Sequence, residues 1–454
     1  MIAFNWKLLK WAGPRVLTAA FAAAALHATV AAAEQAPQSA SCPVGLPGGA
    51  SCYNGADEAG APYWIALPAQ WQRGAGVLVM HAHGGPEVEE PTLARAAEDL
   101  KRWSIMVKAG YAWAGSTFHQ GGVAVRAAAE DIERLRRIFI QHVAQPKFTI
   151  LHGQSWGAGV AATGASMFTD DGHGHRPYDA VLLTSGVLAG GSKDYEFRLD
   201  LRVIYQSLCG NHPRPGEEQY PLSIGLPAAS TMTRAVLNQR VNACLGLDKP
   251  AAQRTAEEQR KLKTIVDVLK IPASSITSHL AWGTFHFQDI VQLRTGGASP
   301  FGNIGAKYTG SADDAALNAS VARYAADPSA VATFAADADP DGRIGVPVLT
   351  VHAIGDPTAF VEMEDSFRRT MERAGTADHL AQTFTTDNTH SYLSDAAYPT
   401  LLAALTTWAR GGPKPTSTQI AQQCLQFEST YGKNCRFKAD YYPQPLATRV
   451  TPRQ

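Results

Sequence analysis

Five residues, Gly153-Gln154-Ser155-Trp156-Gly157, carry the clearest chemistry in the sequence. A serine with glycines two positions away on each side suits a sharp turn that lifts its hydroxyl clear of the backbone. A helix starting just after it would aim its N-terminus and backbone N–H groups at developing negative charge. A serine so placed attacks a carbonyl carbon, and the resulting oxyanion needs two donors. One is the N–H of Trp156. The other is expected from the loop His81-Ala82-His83-Gly84-Gly85-Pro86, where Gly84 or Gly85 can bring an N–H close with no side chain in the way. A hydroxyl is a poor nucleophile until a histidine takes its proton, and that histidine needs a carboxylate to fix its tautomer. Asp356, in Gly355-Asp356-Pro357, and His390, in Asp387-Asn388-Thr389-His390, follow in the chain order serine, acid, histidine. Asp365 and Asp387 compete for the acid, but Asp365 falls in a helical pattern and Asp387 precedes His390 by only three residues. Plainer readings also exist: Asp356 as a helix N-cap, and His390 as a loop histidine.

The elements around these residues fit the chemistry. Gly76–His81, Tyr111–Ser116, Phe148–Leu151, Asp179–Thr184, Val346–His352 and Leu380–Phe384 are short apolar runs, as expected of strands buried on both faces. Ala124–Gln141 and Ala397–Arg410 have helical spacing. Strands alternating with helices predict an α/β fold, with a mostly parallel sheet covered on both faces. The serine motif follows one strand, the His-Gly-Gly loop another, and Asp356 and His390 each follow a late strand. The alternation stops at about Gly191 and resumes near 341, so residues 192–340 are expected to be a largely helical lid or cap insertion. Within it, 232–270 reads as helical, with a break at Lys249-Pro250.

The strand-turn-helix setting of Ser155, the His-Gly-Gly loop and the order of the three residues together resemble the α/β-hydrolase superfamily, in its esterase and prolyl-oligopeptidase-like branches. The resemblance covers about 61–191 and 341–411. It implies a Ser155–His390–Asp356 triad, an oxyanion hole from Trp156 and Gly84 or Gly85, Gly153 and Gly157 shaping the turn, and no metal or organic cofactor. The remaining segments, an N-terminal arm at 34–60, the insertion and a C-terminal extension at 412–454, have no counterpart in it.

Apolar residues make up 45% of the 454 and charged residues 18%, with no net formal charge, a globular composition. No basic stripe marks a nucleic-acid partner. Residues 1–33 combine Lys7, Lys10 and Arg15, an Ala-rich apolar run and Ala31-Ala32-Ala33, the pattern of a secretory signal peptide cleaved after Ala33. The remainder then carries 37 basic residues against 40 acidic. It is expected to be exported, periplasmic or secreted, with no stable membrane span. The even count of cysteines, Cys42, Cys52, Cys209, Cys244, Cys424 and Cys435, suggests disulfides in such a compartment. Short loops favour Cys42–Cys52 and Cys424–Cys435, which leaves Cys209–Cys244; buried free thiols are the alternative. Asp337, Asp339, Asp341 and Gly342 have the spacing of a calcium loop, but its closing position would be Val348, so a polar turn is the better reading.

The expected activity is hydrolysis of a small or polymeric carboxylic ester. The aromatics Trp282, Phe285, Phe287, Phe301 and Tyr308 would either roof an apolar pocket or pack the insertion's own core. A peptidase is the second reading, disfavoured because the segment before the first strand is too short for a β-propeller. A binding protein without activity is the third, disfavoured because all three triad positions are occupied.

Overall fold

A computed structural model describes residues 35–453. The expected signal peptide at 1–33 lies outside them. Nine strands form one sheet: β1 (Gln38–Ala40), β2 (Ser51–Ala56), β3 (Pro62–Leu67), β4 (Val77–Ala82), β5 (Ala112–Ser116), β6 (Phe148–Gln154), β7 (Ala180–Thr184), β8 (Val348–Ala353) and β9 (Leu380–Thr385). Their order is β1-β2-β3-β5-β4-β6-β7-β8-β9. The strands from β5 across to β9 pair in parallel, while β1, β2 and β3 run antiparallel beside β5. Every residue of β5, β6, β7 and β8 is buried, which is why these strands read as unbroken apolar runs.

Helices cover both faces. Before β7 come α1 (Leu93–Arg102), α2 (Ser104–Lys108), α3 (Val125–Ile138) and α4 (Trp156–Met167). Between β7 and β8 lie α5 (Gly191–Cys209), α6 (Arg234–Leu245), α7 (Ala256–Leu269), α8 (Ile276–Ala281), α9 (Phe287–Asp289), α10 (Asp314–Ser320) and α11 (Pro328–Ala338), with π-helical turns at Trp282–His286 and Ile290–Arg294. After β8 come α12 (Met363–Ala374), α13 (Ala397–Ala409) and α14 (Ser417–Tyr431). One apolar layer packs α3, α4, α12 and the helices between β7 and β8 on one face of the sheet. The other packs α1, α2, α13 and α14 on the opposite face.

The segment expected as an arm at 34–60 instead supplies β1 and β2, which extend the sheet. Their residues are half-exposed and Gly/Ser-rich, so no apolar run announces them. The cysteines pair as Cys42–Cys52, Cys209–Cys244 and Cys424–Cys435. Phe287, Phe301 and Tyr308 are fully buried; the first two stack 3.9 Å apart, and the Tyr308 hydroxyl donates to Asp200 at 2.6 Å. These three pack the helical segment's interior and roof nothing.

The aspartates at the end of α11 each cap a helix. Asp337 accepts from the N–H groups of Val125 and Arg126 at the start of α3. Asp339 accepts from the Ser192 N–H at 3.0 Å and its hydroxyl at 2.6 Å at the start of α5. Among the described residues no cluster of three or more potential ligands has metal-binding geometry.

Candidate active site

Ser155 sits between the end of β6 and the first residue of α4. Its backbone has φ 57° and ψ −122°, a conformation that strains any side-chain-bearing residue. The turn is this tight because the backbone on either side leaves no room. A Cβ on Gly153 would lie 2.1 Å from the Gly157 carbonyl oxygen, and one on Gly157 would lie 2.2 Å from that of Ala82. Glycine is therefore required at both places. The serine N–H donates to Thr184 O at 2.9 Å, and its carbonyl accepts from Val187 N at 3.0 Å, which ties the strained turn to β7 and its following loop.

The loop after β9 brings His390 to the serine. Its Nε2 is 2.8 Å from Ser155 Oγ and its Nδ1 is 2.8 Å from Asp356 Oδ2. Asp356 is buried on the loop after β8, and its other oxygen accepts from the N–H groups of Thr358 at 2.8 Å and Ala359 at 3.0 Å. Burial pushes this carboxyl up, but the charge of His390 and the bond from His352 prevail and hold it near 2. A carboxylate on Nδ1 and a hydroxyl on Nε2 is the arrangement in which a histidine can accept a serine proton. The competitors point elsewhere: Asp387 pairs with Arg436, and Asp365 pairs with Arg368 and Arg369.

The loop expected to supply a donor lies beside the serine turn. Gly84 and Gly85 follow β4 beside the serine turn. A Cβ on Gly84 would lie 2.1 Å from Gln154 Oε1, and Gly85 has φ 88°. Trp156 opens α4, so its N–H has no partner in the helix. Its ring packs edge-on against Phe118 at 5.7 Å. A narrow cleft opens beside this loop, lined by His83, Gly85, Pro86, Phe118 and Trp156 among others.

Several supporting residues carry no signal in the sequence. Gln154, inside the motif, donates to Ser391 Oγ at 2.9 Å and so links the serine turn to the histidine loop. The segment between β7 and β8 reaches the site at two points. His279 of α8 donates through Nε2 to Pro357 O at 3.0 Å, next to Asp356. His286 lies against Pro86, next to Gly85. The stretch 279–286 thus runs from the Asp356 loop to the Gly84-Gly85 loop. Beneath the serine strand, His81 and His152 share a 2.9 Å contact between their Nδ1 atoms, and burial lowers the pKa of both rings. His119 is bound by Asp131 at 2.7 Å.

No family profile and no curated protein matches the chain. Among solved structures, it is similar to an esterase from Aspergillus oryzae, at 12% identity and TM-score 0.42, over 81% of this chain and 80% of that one. It is similar to feruloyl esterase B from the same organism, at 13% and 0.39, over 81% of each. It is also similar to the closed state of Candida antarctica lipase A, at 12% and 0.39, over 89% of this chain and 90% of that one. The assignment rests on the chain itself: with this strand order, a strained serine between β6 and α4, and an acid and a histidine on the loops after β8 and β9, the protein has the α/β-hydrolase fold.

Proposed function

We propose that the protein is a serine hydrolase that cleaves carboxylic esters. The observation that carries this reading is the continuous line from Ser155 Oγ through His390 to Asp356, with both bonds at 2.8 Å. Ser155 attacks the ester carbonyl while His390 takes the hydroxyl proton. The N–H groups of Trp156 and of Gly84 or Gly85 stabilise the oxyanion. His390 then gives its proton to the departing alcohol, leaving an acyl group on Ser155. Water, deprotonated by His390, attacks the acyl-enzyme and restores the serine. Asp356 keeps the Nδ1–H tautomer throughout and supports the imidazolium.

The residues between β7 and β8 act as a lid, a role supported by the contacts of His279 and His286 with the two site loops. Export is supported by the three disulfides, which persist in oxidising compartments. Among the described residues no helix is long and apolar enough to cross a membrane.

A fluorophosphonate probe tests the mechanism. It should label the wild type and leave Ser155→Ala unlabelled; equal labelling of both would sink the assignment. Turnover of p-nitrophenyl acetate without turnover of peptide p-nitroanilides is the expected pattern, and the reverse would make the protein a peptidase.

A further inference from the structure

We propose that His352 and Glu364 are positioning residues for Asp356, continuing the line Ser155–His390–Asp356 inward by two buried side chains. The inference rests on the hydrolase reading above.

His352, on β8, and Glu364, on α12, are both wholly buried. His352 Nε2 lies 2.9 Å from Ala359 O and 3.5 Å from Asp356 Oδ2. A carbonyl only accepts, so Nε2 carries a hydrogen. Nδ1 faces Glu364 Oε1 at 3.2 Å. The other Glu364 oxygen already accepts from Thr350 Oγ1 and from Gln382 Nε2, each at 2.7 Å. With Oε2 occupied by those two donors, Oε1 is left as the acceptor for Nδ1; Nδ1 then carries a hydrogen as well, and the ring is a cation. Burial alone would lower the pKa of this ring; the bonds to Asp356 and Glu364, with their charges, outweigh it and raise it to about 10.

The cation matters to Asp356 because charge is expensive here. Two buried carboxylates with no cation between them would push one toward protonation. A neutral Asp356 would lose the charge that supports His390. Ala359 binds the pieces together: its N–H goes to Asp356 and its carbonyl to His352. The other charged or titratable groups facing this cluster are Asp194 of α5, which acts on His352 through space, His390 on the far side of Asp356, and His279 at the Pro357 carbonyl.

The test compares the acid limb of kcat/KM on p-nitrophenyl acetate in wild type, His352→Gln and His352→Gln/Glu364→Gln. The single variant should lose about 10–100-fold in kcat with little change in KM. Its acid limb should move to lower pH, because an Asp356 pushed toward protonation holds the proton on His390 less tightly. The double variant removes one charge of each sign, and its limb should return to the wild-type position. A purely structural role would reduce the active fraction and leave the limb where it was. An unmoved limb in a folded His352→Gln protein that still labels with fluorophosphonate overturns the proposal. Histidine-selective 15N NMR of the unaltered protein decides the matter even if that variant fails to fold. Both His352 ring nitrogens should be protonated at pH 8, and a neutral ring overturns the proposal. Absence of fluorophosphonate labelling in the wild type would instead defeat the hydrolase reading, and this one with it.

Discussion

The sheet and the helical segment between β7 and β8 solve burial in opposite ways. The sheet buries mostly apolar side chains on two faces, and Ser155, Asp356 and His390 meet at its strand ends. The helical segment buries cations among rings and carbonyls. The Arg198 guanidinium lies over the rings of Tyr195, Phe197 and Trp282 at 4.5–4.8 Å. Arg202 Nη1 donates to the carbonyls of Gly225 at 2.7 Å and Gly283 at 3.1 Å, and to that of Leu222. Backbone geometry thus specifies the chemical part of the molecule, and polar side-chain networks specify the part that covers it. The second kind of interior is the more vulnerable, since removing one partner leaves a buried charge unpaired.

Perturbations of single residues should separate the two regions. The largest effect is expected at the sheet. Ser155→Ala should lower ester hydrolysis by ~10⁴-fold or more, equivalent to more than ~5 kcal/mol of barrier, with the urea midpoint unchanged. A shifted midpoint would mean that the serine turn also sets stability. Next comes the disulfide inside the helical segment. Cys209–Cys244 spans 35 residues of sequence, whereas the other two span 10 and 11. By chain entropy its removal should cost about 4 kcal/mol against about 3 for either of the others. Denaturant titration of the three double-alanine variants checks the ranking.

Acidification gives a third contrast. Burial lowers His279 and His286 to about 3, and His212 to about 2, within the helical segment; His152 of the sheet is also near 3. For each, the unfolded chain takes up the proton first. Stability is therefore full above pH 6.5 and falls as pH drops toward 3, by up to about 1.4 kcal/mol per pH unit per ring. His352 has the opposite sign: its contribution is full below pH 6.5 and fades as pH rises through about 10. Replacing His286 by Gln should flatten the acid slope between pH 6 and 4 by one proton, and His352→Gln should flatten the alkaline slope. Urea midpoints across pH 4–10 would show either variant failing to do so. The smallest effect is expected from Asp337→Ala, which uncaps α3 and should cost about 1 kcal/mol.

What could be read in advance follows the same division. β4 to β9 were visible because strands buried on both faces leave unbroken apolar runs. Ser155, Asp356 and His390 stood out as candidates because the chemistry demands a fixed order at the ends of those strands, and the structure brings the three side chains together. β1 and β2 were not visible, since their short, half-exposed stretches carry no such run. Glu364 was invisible for a different reason. It sits among Glu362, Asp365 and Arg368, so locally it looks like part of a solvated helix face. Only the docking of α12 turns it toward His352. The contacts of His279 and His286 depend likewise on how helices pack, and helical spacing alone cannot supply that.

The two aspartates closing α11 have a topological consequence. A Cβ on Gly190 would lie 2.4 Å from Asp339 Oδ1, and one on Gly191 would lie 2.5 Å from the Ala338 Cβ. The excursion that leaves the sheet after β7 therefore returns to its own starting point before β8. A chain with its two ends so close forms a cassette. Length changes at its exposed turns can be absorbed while this junction and the pairing of β7 with β8 are kept. On the hydrolase reading proposed above, one continuous stretch can vary while Ser155, Asp356 and His390 keep their places on the loops of the sheet.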